Sequence, residues 1–185
     1  MELVTPTAAR LPSFVAALER GWSPRNVDSE RARNDTLARA TSDPAAFLRE
    51  FSDGKADGPP IALPDGTFAP RLPDIARWMW DGEFCGLINL RWQPGGEALP
   101  PHVLGHVGYT VVPWKRGRGH ATAALRGMLP FARAQGLRFI ELTTADTNVA
   151  SIRTIEKAGG ILVRTMTGVI HHPPDEIVRL YRIAL

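Results

Sequence analysis

The sequence predicts an α/β (α+β) fold, and three stretches carry that prediction. From His106 to Gly160, five segments follow one another: an alternating apolar run, a basic glycine-rich turn, a long helical pattern, a second apolar run and a short helical pattern. Upstream, Ile75–Trp80 and Phe84–Trp92 are strand-like runs on either side of Asp81-Gly82, a strong two-residue hairpin signal. The N-terminal third is helical in pattern and mixed in charge.

Taken in order, Glu2–Thr5 suits a short first strand. Leu11–Arg20 is a helix with Phe14, Ala17 and Leu18 on one side, closed by Gly21. Asp28–Ala40 is a second, polar helix, and Asp43-Pro44 supplies the cap and first turn of a third that runs through Phe51. Ser52–Pro73, rich in Gly, Pro and Asp, is expected to be a long loop, and loops of that length are often functional. Trp78, Trp80 and Trp92 fall on the hairpin; as large apolar groups they are expected in the core, an aromatic wall for a ligand being the alternative. Pro94–Pro101 is a further turn region.

Beyond the basic turn, Ala121, Leu125, Met128, Leu129 and Ala132 keep a helical stripe in which Gly127 and Pro130 sit. An interior proline costs about 3 kcal/mol unless the helix bends, so a kink near Arg126 is expected. Gly136 ends that helix, with Leu137 as a capping contact. Leu137–Thr144 is the next strand, Asp146 to Asn148 cap a short helix, and Ile161–Val169 and Glu176–Ala184 finish the chain as strands. The pair His171-His172 between them lacks a carboxylate or cysteine at ligand spacing, which favours a solvent loop over a metal site.

A chain of 185 residues with 44% hydrophobic content is expected to form a single domain over residues 1–185 with a real core. The lone cysteine, Cys85, rules out a disulfide framework within the chain. With no signal peptide and no apolar run of about 18 residues, a cytoplasmic protein without membrane attachment is expected. The net charge of +3 equals the contribution of Lys115, Arg116 and Arg118 alone. A basic excess confined to one turn lacks the broad stripe that nucleic-acid binding uses and favours a small anion.

The turn itself, Lys115-Arg116-Gly117-Arg118-Gly119-His120-Ala121-Thr122, leads directly into a helix. Gly117 and Gly119 can take backbone angles closed to other residues, letting successive amides converge on an anion at the helix start, where the dipole already favours negative charge. A diphosphate suits such a site. A Walker loop is excluded because no Lys follows either glycine. A dinucleotide fingerprint fits in part, through Gly117, Gly119 and Glu141, but Thr122 stands where the third glycine belongs.

A third pattern fits better. Val112-Pro113-x-x-Arg116-Gly117-x-Gly119-x-Ala121 resembles the pyrophosphate-binding segment of the GNAT acyl-CoA N-acyltransferases. Asp146-x-Asn148-x-x-Ser151 followed by Glu156-Lys157-Ala158-Gly159 resembles that family's second cofactor segment. The wording around His106–Tyr109 and Ala150–Gly160 is similar to a bacterial subgroup of predicted acetyltransferases, and the resemblance spans roughly Ile75 to Val163. It implies a mixed, mostly antiparallel central sheet flanked by helices. An acetyl-CoA-binding core is then expected over residues 75–163, with residues 1–73 on the acceptor side.

The resemblance also implies roles. The backbone of Thr110, Val111 and Val112 would pair with the pantetheine arm. The amides of Arg116, Gly117, Arg118, Gly119, His120, Ala121 and Thr122 would hold the diphosphate, and Asn148 would bond the arm, with Ser151 nearby. An amide near Val112 would meet the developing oxyanion. The tyrosine that many members carry seven positions after the asparagine is Ile155 here, and a common glutamate five positions before it is Thr143. His106, opening the central strand where other members often carry a glutamate, is the first candidate base, with a histidine that packs or satisfies backbone as the alternative. Glu141 is the second, unless it faces solvent or pairs with an arginine, and Ser151 or water would serve the leaving thiolate.

The expected activity is acetyl transfer from acetyl-CoA (CoA) to a primary amine of a small molecule or peptide, in a possible homodimer. A non-catalytic acyl-CoA-binding module is the alternative, and a nicotinamide-dependent enzyme is a third reading.

Overall fold

The structure is a computed structural model of the whole chain; it describes all residues except 26, 27, 52, 55, 57–59, 64, 65 and 171. The chain divides into two compact units. The first comprises Met1–Ser52, Ala76–Asn89 and Tyr109–Gly127, and the second Asp53–Ile75, Leu90–Gly108 and Met128–Leu185.

The first unit holds β1 (Glu2–Val4), α1 (Leu11–Glu19), α2 (Ser29–Ser42) and α3 (Pro44–Arg49), with most of β4 (Asp74–Trp80) and β5 (Phe84–Arg91). Its core forms around Phe14. Leu11, Phe14 and Leu18 recur at helical spacing, so α1 buries one stripe, joined by Ala17. The Phe14 ring stacks on Trp78 at 4.7 Å and meets Phe84 edge-on at 5.1 Å and Trp22 at 5.6 Å. Trp78 is fully buried, which is the core role expected of it. Such aromatic pairs add about 0.5–1.5 kcal/mol beyond the area they bury.

Helix α2 buries only Thr36 and Ala40, as its polar sequence requires. Asp43 caps α3 by accepting the Ala46 amide at 2.9 Å, and Pro44 sits where the helix needs no donor. The β4–β5 hairpin turns at Asp81 to Glu83, with Gly82 at φ 106°.

Strand β6 (Val107–Val111) completes a four-stranded sheet of order β1-β4-β5-β6. Bonds from Val112 N to Cys85 O (2.9 Å) and from Arg91 N to His106 O (2.8 Å) fix it antiparallel on β5. A Pro113–Lys115 3-10 turn follows, then α4 (His120–Ala134). Helix α4 continues through Pro130, and Ala124, Leu125, Met128 and Ala132 are its fully buried positions. Gly136, at φ 79°, ends it, and the Leu137 amide bonds back to Ala132 O at 3.3 Å, the capping arrangement expected.

The second unit carries β7 (Phe139–Ala145), α5 (Val149–Lys157), β8 (Ile161–Met166) and β9 (Val178–Ala184) in a sheet of order β7-β9-β8, antiparallel throughout. Strands β8 and β9 are shorter than their apolar runs because Gly168 and the 173–176 turn intervene. The stretch expected as a loop over 52–73 contains, among its described residues, a small hairpin of β2 (Ile61–Ala62) and β3 (Phe68–Ala69). Two-residue strands are too short to show an alternation. His171 lies outside the described residues, while His172 Nδ1 meets Glu176 Oε2 at 2.5 Å. No helix among the described residues is long and apolar enough to cross a membrane.

Candidate active site

In the first unit, β6 delivers the chain into a cradle of amides. Arg116 is extended (φ −64°, ψ 160°), and Gly117 and Gly119 take φ 77° and 79°. A Cβ at either glycine would meet nothing within 4 Å, so it is the backbone angle and not crowding that calls for glycine. The first amide of the helix with a backbone acceptor is Ala123, bonded to Gly119 O at 3.0 Å. Among the described residues, the amides of Gly117 through Thr122 have no backbone acceptor. Six consecutive donors at the start of a helix form a site for an anion.

The basic side chains of the turn do not act alike. Arg116 and Arg118 are exposed, and Arg116 Nε donates to Val111 O at 3.2 Å. Lys115 is buried at 5% exposure, so of the three basic residues that account for the net charge it adds none at the rim of the cradle. Its Nζ donates to Asp81 Oδ1 at 2.5 Å and lies 2.8 Å from Glu83 Oε1. The long apolar stem lets an ammonium reach two carboxylates on the hairpin turn. Burial opposes the lysine's charge, but the hydrogen bonds to Asp81 and Glu83 outweigh it and hold the ammonium above its ordinary pKa. The bond from Lys115 holds Asp81 below the usual carboxylate range.

Cys85 and His120 complete this cluster. Their ligand atoms and that of Asp81 lie within 4.8 Å of one another, a grouping of metal-ligand types. The cation already present is Lys115, and burial pushes the Cys85 thiol up to about 11, which keeps it protonated. The cluster therefore works as a clamp between the hairpin and the amide cradle. Sequence reasoning missed it because the partners lie some thirty positions apart; Asp-Gly-Glu at the hairpin tip was its one visible signal.

Gly86 was also missed. An added Cβ there would lie 2.2 Å from Thr110 O and 3.0 Å from Val111 Cα, so β5 and β6 approach as closely as they do only because residue 86 has no side chain.

In the second unit, His106 sits with its backbone and ring both engaged. His106 N donates to Glu141 O at 2.7 Å, and Nδ1 accepts the Glu141 amide at 2.9 Å. The side chain thus imitates a backbone acceptor and straps the start of β6 to β7. Neighbouring Gly105 leaves room for this, since a Cβ there would come 2.9 Å from Glu141 O. His106 is fully buried, and burial lowers its pKa despite the raising effect of Glu141. With Nδ1 accepting, the neutral ring carries its proton on Nε2. The lone pair that proton abstraction requires is committed to Glu141 N.

Glu141, the second candidate base, accepts from Arg182 Nη2 at 2.7 Å. Asn148 is the N-cap of α5, its Oδ1 accepting the Ser151 amide at 3.1 Å. Asp146 pairs with Arg179, and Ile155 is buried at 1% exposure.

The sequence profile of the acetyltransferase (GNAT) family matches residues 42–160, well over half of the chain. The chain belongs to the GNAT acetyltransferase family. GNAT proteins draw their acetyl group from acetyl-CoA, and the amide cradle fits the diphosphate of that cofactor. Solved structures resemble the chain over nearly its whole length. An acetyltransferase from Salmonella typhimurium that modifies the N-terminal serine of ribosomal protein L7/L12 gives a TM-score of 0.62 at 14% identity, covering 99% of this chain and 94% of its own. Spermidine N-acetyltransferase from Vibrio cholerae gives 0.57 at 11%, covering 100% and 95%. The Microcin C7 self-immunity acetyltransferase gives 0.59 at 9%, covering 99% and 91%. At these identities the likeness establishes the fold. No protein of curated function matches.

Proposed function

We propose that this GNAT protein transfers an acetyl group from acetyl-CoA to a primary amine by direct attack, with the amides of residues 116–122 holding the diphosphate. The observation that carries the proposal is the run of amides from Gly117 to Thr122 without backbone acceptors, set by two glycines at positive φ. The cofactor, when bound, supplies the acetyl group as a thioester. The chain's own part is to bind and to orient. Thr110 to Val112 offer backbone groups to the pantetheine arm, and Gly86 sets their place. An amide near Val112 is the donor for the developing oxyanion. Positioning of this kind alone can contribute about 7–11 kcal/mol.

His106 is a positioning residue in this reading, through its grip on the Glu141 peptide. A thiolate leaves without a protein acid, so Ile155 in place of the common tyrosine is no obstacle, and Ser151 or water suffices.

The test is the thermal midpoint with acetyl-CoA, CoA and NADH, alongside an Arg116→Glu, Gly119→Glu double variant. A ligand at 100 times its Kd adds about 2.7 kcal/mol to folding stability. A rise with acetyl-CoA and CoA that the folded double variant lacks supports the site. A rise with NADH alone refutes it.

A further inference from the structure

A cleft of about 260 Å³ opens in the first unit between the stretch that follows α1 and the end of β6. One wall is Thr110, Pro113 and Arg116, from the stretch assigned above to the donor; the other comes from Trp22, Arg25 and Ser29, which the donor site does not use. Its described lining is rich in donors. Arg25 and Arg116 have nothing but N–H groups to offer, and the indole of Trp22 is likewise a donor only. Trp22 is 2% exposed; among the described residues, its Nε1 and Thr110 Oγ1 have no hydrogen-bond partner. No aspartate, glutamate or histidine lines the cleft among the described residues. Ser29 opens α2, whose N-cap Asp28 and first-turn Glu30 offset the helix dipole, so the positive charge of the cleft comes from Arg25 and Arg116.

We propose that this cleft is the acceptor site and that it selects an amine whose other end carries an anionic group, a carboxylate or a phosphate. The inference rests on the acetyltransferase reading and narrows its substrate class. Two guanidinium groups without a carboxylate repel a polyamine and pair with an oxyanion, bidentately where geometry allows. The same positive field disfavours the ammonium form of the acceptor's amine. That favours the free amine, the form that attacks the thioester, without calling on His106 or Glu141, whose polar atoms are engaged within the second unit.

The experiment measures thiol release from acetyl-CoA with matched acceptors: free amino acids against their amides, phosphoethanolamine against ethanolamine, and spermidine as the cationic control. The expected result is turnover with the acid or phosphate member of a pair and at least about 10-fold lower kcat/KM with its neutral partner. The two acid arms tell carboxylate from phosphate. Arg25→Ala raises the KM of the anionic acceptor about 10-fold or more while the KM for acetyl-CoA stays within about 2-fold. Arg25→Glu shifts preference toward the neutral or cationic member. Amides, ethanolamine or spermidine turned over as well as the anionic partners overturn this inference and leave the acetyltransferase reading standing, as does Arg25→Ala without effect on the acceptor KM. No response of the thermal midpoint to acetyl-CoA removes both. An acetyl-CoA response without turnover of any anionic amine removes the acceptor assignment alone.

Discussion

Gly86→Ala is the substitution with the best-defined geometric consequence. The new methyl would lie 2.2 Å from Thr110 O and 3.0 Å from Val111 Cα, both of them backbone atoms that no rotamer change can move. Ordinary carbon contact begins near about 3.5 Å, so β5 and β6 must separate by roughly 1 Å at this point. Overpacking of this kind costs about 1–3 kcal/mol, which at this chain length lowers the thermal midpoint by about 2–12 °C. The larger effect falls on function. The displaced segment is the one assigned to the pantetheine arm, and a 1 Å misplacement can cost about 100-fold in rate. The assay pairs the thermal midpoint, with and without acetyl-CoA, with thiol release on a responsive acceptor. Gly96→Ala is the control, since a Cβ there meets nothing within 4 Å and its backbone is not in the left-handed region. A Gly86→Ala protein with the midpoint and turnover of the parent would refute both the close approach and the assignment of Thr110–Val111 to the arm.

Other predictions follow from the two units separately. Lys115→Met leaves Asp81, whose side chain is 23% exposed, without its cation; a loss of about 1–3 kcal/mol in a urea titration is expected, with a weaker acetyl-CoA response because the cradle loses its tether. Asn148→Ala removes the cap of α5 and costs about 1 kcal/mol, read in the same titration. His106→Ala lowers turnover without changing acetyl-CoA affinity. His106→Asn, whose Oδ1 can accept the Glu141 amide in place of Nδ1, restores it; an Asn variant as slow as the Ala one would mean that the ring is needed as a base. Burial holds His106 and His120 below their ordinary pKa, so both favour the neutral form in the folded state. Their contribution is fully present above about pH 6.5 and is lost as pH falls toward their folded values. Stability measured from pH 8 to pH 5 should therefore decline below about 6.5, less steeply in His106→Asn.

How much was legible in the sequence follows from the range of the forces involved. The amide cradle was, because Gly117, Gly119 and the helix start are set by local backbone geometry. So were α1 and the Asp43 and Asn148 caps, whose patterns close within four residues. The Lys115 clamp was not, because a lysine in a basic turn has the same sequence whether its ammonium faces a phosphate or folds inward onto Asp81. Only the packing of the hairpin turn decides. His106 was legible as a special residue but not in its role: the strap depends on Glu141 arriving from β7, thirty-five positions later. Gly86, inside an apolar run, gave no sign that another backbone would press against it.

The burial of Lys115 has a chemical consequence for a protein that hands acetyl groups to amines. It carries a primary amine of its own, one residue before the cradle that is to hold the donor. A free lysine there would be a natural target for self-acetylation, and the first turnover would then inactivate or alter the site. An ammonium has no lone pair with which to attack a thioester. By enclosing this nitrogen and pressing two carboxylates against it, the fold keeps the amine in its unreactive form. Lys115 is thereby exempt from the reaction proposed beside it.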